Sequence, residues 1–231
     1  KSGTFAMVAT ITTVKDIARE LLPEIALNIF QQTKKLFFDI HTFFYFLANF
    51  RLPLNFRQKI SFLYRIKRID FNVKCPHDNS EILSFAERIF QLGPECEGVF
   101  VEAGCYKGGS SAKFSLACRI VDRRLVICDS FLGIPKNDEP HLKNIFGGKA
   151  SFPEGSYAGT LEEVKNNIKL YGCLEVCDFV SGYFEQSLPH FTAKITSAYL
   201  DVDLASSTRT CLKWIYPQII PGGYLVSQDG H

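Results

Sequence analysis

A chain of 231 residues can hold one large domain, or one domain with a helical extension. Its 46% hydrophobic and 22% charged residues are those of an ordinary globular protein and exclude a disordered or fibrous chain. The net charge of +2 conceals a split: residues 1–74 carry 12 Lys+Arg against 5 Asp+Glu, residues 75–231 carry 14 against 19. The basic part reads as a solvated helical surface, and no aromatic-basic stacking motif accompanies it, so no nucleic-acid partner is expected.

In chain order, residues 13–50 read as two helices. Val14, Ile17, Ala18, Leu21 and Leu22 keep helical spacing, and Pro23 interrupts them. The second helix carries Phe37, Phe38, Phe43, Phe44, Phe46, Leu47 and Phe50 on almost every side. At 36–50 the apolar stretch is shorter than the ~20 residues that cross a bilayer. It reads as a buried or docking helix, and a homo-oligomer interface is expected there rather than a membrane contact. Residues 51–74 contain a basic connecting helix, FRQKISFLYRIKRI. The expected division is an N-terminal helical extension, 1–74, and a main domain, 75–231.

The main domain opens with an amphipathic helix, 78–92, which Asp78, Asn79 or Ser80 can cap. Strands and helices then alternate. The strands are VFVEA (99–103), RLVICDS (124–130), VCDFVSG (176–182), SAYLDVD (197–203) and YLVSQD (224–229). Helices are expected over about 110–122, from a capping box at Thr160–Glu163 to Tyr171, over 184–191 and over about 206–216. Pro221-Gly222-Gly223 reads as a turn before the fifth strand. This pattern predicts an α/β fold, a doubly wound Rossmann-like sandwich. A finished sheet of this type carries a further helix and edge strands, so the chain is expected to be a truncated copy. The eight cysteines include no C-x-x-C pair; Cys173 and Cys177 alone are close. That scatter implies reduced, buried thiols and a cytoplasmic setting rather than a disulfide frame or a zinc site.

Ligands of such sheets bind beyond the carboxyl ends of the strands. Glu102, Asp129, Asp201, Asp203 and Asp229 all stand there. Five converging carboxylates require a positive ligand or a metal among them. After the first strand the chain reads E-x-G-x-x-x-G-x-S, Glu102 to Ser110, not the dinucleotide pattern G-x-G-x-x-G. Gly104 and Gly108 let the backbone approach a ligand closely. Asp129, at the end of the second strand, suits both hydroxyls of a ribose. No P-loop is present. A ligand with a ribose, no phosphate and a positive centre is S-adenosylmethionine. The loop 131–160, rich in Gly and Pro, reads as a substrate lid.

The blocks VEAGCYKGGSS, CDSFLGIP, SYAGTLEEVKNNIKLYG, VSGYFEQSLP, AYLDVDLASST and YPQIIPGGYLVSQDGH occur in this order. Through them residues 98–231 resemble the macrocin O-methyltransferase family, the TylF/MycF type of class I S-adenosylmethionine-dependent enzymes. The resemblance implies methyl transfer to a hydroxyl of a sugar or glycosylated small molecule. It implies that Glu102, Gly104 and the turn through Gly108 to Ser110 line the methionine part of the cofactor. Asp129, with Ser130 beside it, would hold the ribose, and Gly182, Tyr183 and Phe184 would sit near the adenine. It implies a Mg²⁺ on Asp201 and Asp229, with Gln228 where the family's further acid is usual; Asp201 also borders the cofactor. Asp203 is the first choice of general base, His231 the second and His141 the third. Two other readings remain open on the residues: a nicotinamide-dependent oxidoreductase, and a degenerate methyltransferase fold serving as an interaction module.

Overall fold

The computed structural model describes residues 39–92, 96–139 and 152–228. The chain divides into two compact units between Ala48 and Asn49. Helical residues 39–48 (α1) belong to the first. The expected helix at 14–22 and most of the first turn of the aromatic helix lie outside the described residues.

The second unit begins with α2 (Phe56–Asn72) and α3 (Asn79–Gln91). Asn55 starts α2 with a full capping box: its side chain accepts from the Gln58 N–H at 2.9 Å, and Gln58 returns the bond at 2.8 Å. Phe62, Leu63, Ile66 and Ile69 form its buried face. α2 packs on the sheet-covering helices, so this unit starts ahead of residue 75. A buried ion pair fixes the arrangement. Lys113 Nζ, fully buried, lies 2.6 Å from Asp70 and 3.0 Å from Asn79, joining three helices. A pair so placed selects one packing arrangement rather than adding much stability.

The alternating part follows as β1 (Val99–Ala103), α4 (Gly109–Ile120), β2 (Leu125–Asp129), α5 (Leu161–Tyr171), β3 (Cys177–Ser181), α6 (Phe184–Ser187), β4 (Ile195–Leu200), α7 (Ala205–Ile215) and β5 (Ile219–Ser227). The strands form one parallel sheet in the order β3-β2-β1-β4-β5. Helices cover both faces, as the apolar strands require. Phe100 on β1 and Tyr199 on β4 pack with Phe85 of α3 and Phe114 of α4, ring centroids 5.1–5.5 Å apart. The opposite face sets Val101, Ala103, Val126, Ala198 and Leu200 against Cys211 and Ile215 of α7. The doubly wound α/β fold read from the sequence is the fold of this unit.

Two local expectations need correction. Thr160 does cap α5, accepting from the Glu163 N–H at 3.1 Å, but the reciprocal half of the box is not made. The Glu163 carboxylate pairs instead with Lys107 at 2.9 Å. Pro221-Gly222-Gly223 is not a turn before the fifth strand but lies inside it. β5 runs from Ile219, and its register to β4 shifts between Ile195 and Ser197. The extra residues bulge outward, which an edge strand tolerates at proline.

Candidate active site

A cleft opens at the carboxyl ends of β1, β2 and β4. Its floor depends on Gly104, which has φ +84°. A Cβ there would stand 1.8 Å from the Asp201 carbonyl oxygen. Glycine alone lets the loop after β1 lie against the chain leaving β4. The Gly104 N–H donates to the Cys128 carbonyl at 2.9 Å, drawing in the end of β2 as well.

Of the residues expected to hold a cofactor, Gly104, Asp129, Ser130, Tyr183, Phe184 and Asp201 line this cleft. Asp203 and Gln228 line it too. Glu102, Gly108, Ser110 and Gly182 do not. Gly108 caps α4 with φ +78°, and Ser110 is buried in the first turn of that helix. Gly182 acts through its backbone: its N–H donates to the Asp129 carbonyl at 3.0 Å and so sets Tyr183 and Phe184 beside Asp129. His141, Asp229 and His231 lie outside the described residues.

Asp129 accepts from the Cys105 N–H on one oxygen and the Phe131 N–H on the other, both at 2.7 Å. Burial pushes its carboxyl above the usual range, and these N–H groups pull it back. The Tyr106 N–H and the Cys105 thiol lower it too, so the loop after β1 wraps the carboxylate where it lines the cleft. The Ser130 hydroxyl is taken up by its own turn, donating to the Gly133 carbonyl at 2.9 Å and accepting from the Leu132 N–H at 3.1 Å.

Glu102 is fully buried on the face of the sheet that α3 and α4 cover, and neither carboxyl oxygen has a hydrogen bond of ordinary geometry. Burial pushes its pKa up to about 7, against the opposing pull of the Ser110 and Ser111 hydroxyls. It reaches this position because side chains alternate across the pleat, and Glu102 follows Phe100 rather than Val101 and Ala103.

The sequence reading missed His77. It lines the cleft, and its Nε2 lies 2.9 Å from Asp201 Oδ2. Its Nδ1 faces the Tyr199 hydroxyl at 3.3 Å and Glu81 Oε2 at 3.7 Å, while the Tyr199 hydroxyl donates to Glu81. Burial alone would lower the imidazole pKa; hydrogen bonds to Asp201 and Glu81 outweigh it and hold the ring protonated, with a pKa of about 10. The one sequence cue is the spacing of His77 and Glu81, one turn apart across the start of α3. Tyr106, Tyr157 and Glu185 also line the cleft without having been singled out. Tyr106 and Asp203 have φ +50° and +60°, left-handed positions for non-glycine residues at the cleft's edge. The loop after β2 reaches across: Glu139 accepts from the Ala205 and Ser206 N–H groups at 2.9 and 3.0 Å, closing the N-terminus of α7. The two described stretches of this loop are bonded to each other through Ile134, Gly155 and Ser156.

The carboxylates, aromatic rings and close backbone of the cleft fit a cationic ligand carrying a ribose. Of the residues expected to hold a divalent metal, Asp201 and Gln228 line the cleft and Asp229 lies outside the described residues. Among the described residues no group of three or more His, Cys, Asp or Glu side chains is placed to hold one. Asp201 is engaged by His77, and Gln228 brings no charge.

Comparisons with known proteins show what the chain is similar to. The chain is 31% identical over 137 residues to the 8-demethyl-8-(2,3-dimethoxy-alpha-L-rhamnosyl)-tetracenomycin-C 4'-O-methyltransferase of Streptomyces olivaceus, covering 57% of this chain and 52% of that protein. It is 33% identical over 145 residues to the demethyldecarbamoylnovobiocin O-methyltransferase of Streptomyces niveus, covering 60% and 55%. The chain thus spans about half the length of the curated relatives it matches. Among solved structures it is similar to the O-methyltransferase NovP, with 26% identity over 64% of each chain and a TM-score of 0.54. The calicheamicin methyltransferase CalS11 shares the fold, at 17% identity and a TM-score of 0.50 over 76% of this chain and 79% of that one. Residues 84–231 match the macrocin-O-methyltransferase (TylF) family, and the chain belongs to that family.

Proposed function

We propose that the chain is an S-adenosylmethionine-dependent O-methyltransferase whose acceptor is a hydroxyl of a sugar or glycosylated small molecule. The observation that carries this reading is one cleft in which Asp129 faces Asp201 and Asp203 across the Gly104 turn. The cofactor, when bound, supplies an electrophilic methyl group on a positively charged sulfur. Asp129 accepts from the ribose hydroxyls. Tyr183 and Phe184 provide the apolar wall for the adenine. The acidic rim of Asp201 and Asp203 balances the ligand's positive charge. Asp203 takes the proton of the acceptor hydroxyl, since a neutral alcohol is a weak nucleophile. His231 is the second choice of base. The relatives' names, with a rhamnosyl group in one of them, support the sugar hydroxyl as acceptor. Tyr106 and Tyr157, in edge-to-face contact at 5.7 Å on the cleft wall, suit the apolar face of such an acceptor. Eight free thiols suit a reducing, cytoplasmic setting. Among the described residues no helix is long and apolar enough to cross a membrane. Exposed Phe44 and Tyr45 on α1 support self-association through that helix.

Calorimetric titration of the full chain with S-adenosylmethionine tests the reading. Binding is expected, and Asp129→Ala should weaken it by about tenfold or more, the worth of one charged hydrogen bond. Asp203→Asn should weaken that binding less than Asp129→Ala does, but slow methyl transfer by about a hundredfold or more. An intact chain that binds no cofactor sinks the proposal. Binding without turnover on any hydroxylated acceptor favours the interaction-module reading instead.

A further inference from the structure

We infer that the outer face of α2 docks on an anionic lipid surface, laying a ridge of large apolar side chains into the headgroup layer and basic side chains against the lipid charges. The inference goes beyond the O-methyltransferase reading and does not rest on it.

Phe62, Leu63, Ile66 and Ile69 of α2 point into the core. Phe56, Ile60, Tyr64 and Phe71 stand on the other side, at 66%, 44%, 69% and 85% exposure. At about 100° per residue these four fall within an arc of about 80°, a ridge roughly 22 Å long. Single exposed apolar residues are ordinary on a protein surface; four large ones aligned on one helix face mark a contact. The reading of this segment as a solvated basic surface missed the ridge. α2 is apolar on two opposite sides, and only the fold decides which side is buried.

The surroundings of the ridge are basic. Lys67 falls within the same arc, and Arg57 and Arg68 stand along one edge of it. Arg51 and Lys74 are exposed just before and just after the helix. The one acid of residues 51–74, Asp70, is turned toward Lys113 at 2.6 Å and Lys67 at 3.6 Å. α2 thus has no outward acid to answer its exposed cations.

That charge selects the occupant. A second copy meeting this face about a two-fold axis would set like charges against each other. Residues 1–38, with 5 Lys+Arg and 3 Asp+Glu, offer no opposite charge either. A nucleic-acid duplex would meet the cations but offer no apolar surface to the ridge. A layer of acidic lipid headgroups answers both: Phe, Ile and Tyr side chains bury at the acyl boundary while Arg and Lys meet the phosphates. Because α2 keeps its other face in the core, it lies along the lipid surface and does not enter the bilayer.

Cosedimentation of the full chain with vesicles tests this, using phosphatidylserine and phosphatidylcholine in about equal amounts at about 0.1 M salt. Wild type should pellet with these vesicles and hardly at all with pure phosphatidylcholine. Phe56→Ser combined with Phe71→Ser should weaken binding by about tenfold or more, and Arg57→Gln by about fivefold. Both variants should keep the wild-type circular dichroism, since the side chains changed are exposed. If the double variant does not fold, Arg57→Gln and the comparison of the two vesicle types decide. A wild-type chain that stays in solution with the acidic vesicles overturns the inference. So does binding that survives both serine substitutions in a folded chain, which would show charge attraction alone. Tighter binding of a DNA duplex than of the vesicles at the same salt overturns it too. Neither cofactor nor acceptor is present, so failure of the enzymatic reading cannot be mistaken for failure of the docking face.

Discussion

At the scale of single residues, Glu102 shows how an acid can belong to a site's motif without entering its cleft. It is completely buried beneath α4, and its pKa of about 7 lies above its ordinary 4.5. Between those two values the folded chain holds a proton that the unfolded chain releases. Stability therefore falls as pH rises through that window and is lowest above it. Glu102→Gln should be more stable than wild type at about pH 8, by up to roughly 3 kcal/mol, with the advantage vanishing below about pH 4. Thermal unfolding at the two pH values checks this; an equal effect at both would show that the carboxyl does not titrate on folding. Gly104 illustrates the opposite case, a residue whose role is legible from type alone. The sequence asked for close backbone approach at that position, and the Asp201 carbonyl stands where a side chain would be.

At the scale of elements, caps and strand ends place the cleft. α5 starts at Thr160, whose hydroxyl accepts from the Glu163 N–H, and Glu163 in turn reaches Lys107 in the turn between Gly104 and Gly108. Thr160→Ala should cost about 1 kcal/mol and lower the melting temperature by about 2–4 °C, measured by calorimetry. Cofactor affinity should change little, because Thr160 does not line the cleft. Strands β1 to β4 were legible because each is an apolar run between breakers, and a parallel sheet buries such runs on both sides. The outward bulge at Pro221-Gly223 was not, since proline and glycine signal a turn and a bulged edge strand alike. His77 escaped notice for a different reason. It works through Asp201, which is over a hundred positions away, and no local spacing encodes that contact.

At the scale of the whole molecule, burial divides the thiols. Cys75 and Cys96 are half-buried; Cys105, Cys118, Cys128, Cys173, Cys177 and Cys211 are buried. Burial pushes Cys128 up to about 12 and raises Cys105, Cys118, Cys177 and Cys211 as well. A thiol reagent such as dithionitrobenzoate should react quickly with Cys75 and Cys96 and with the rest only after unfolding. Rapid reaction of all eight would mean that the sheet is open in solution. The expectation of buried cysteines came from their scatter over predicted core elements, and six of the eight are buried. The acidic strand ends were likewise legible as a group, because a doubly wound sheet has one edge for ligands. Which of those acids enters the cleft was not, because that depends on the pleat and on helices packed from elsewhere in the chain.

The strand order carries a consequence for how the cleft comes into being. β1 lies between β2 and β4, so Glu102 is registered with Ile127 on one side and Tyr199 on the other. The first pairing closes a short loop; the second joins positions almost a hundred residues apart and waits on the slower long-range search. Because the Gly104 turn and Asp201 come from the two sides of that seam, the cleft exists only once the β1–β4 pairing has closed. On the proposed function, cofactor binding is then a molecular proof of completed assembly: a chain caught with only its first three strands paired has the glycine turn and Asp129, but nothing facing them.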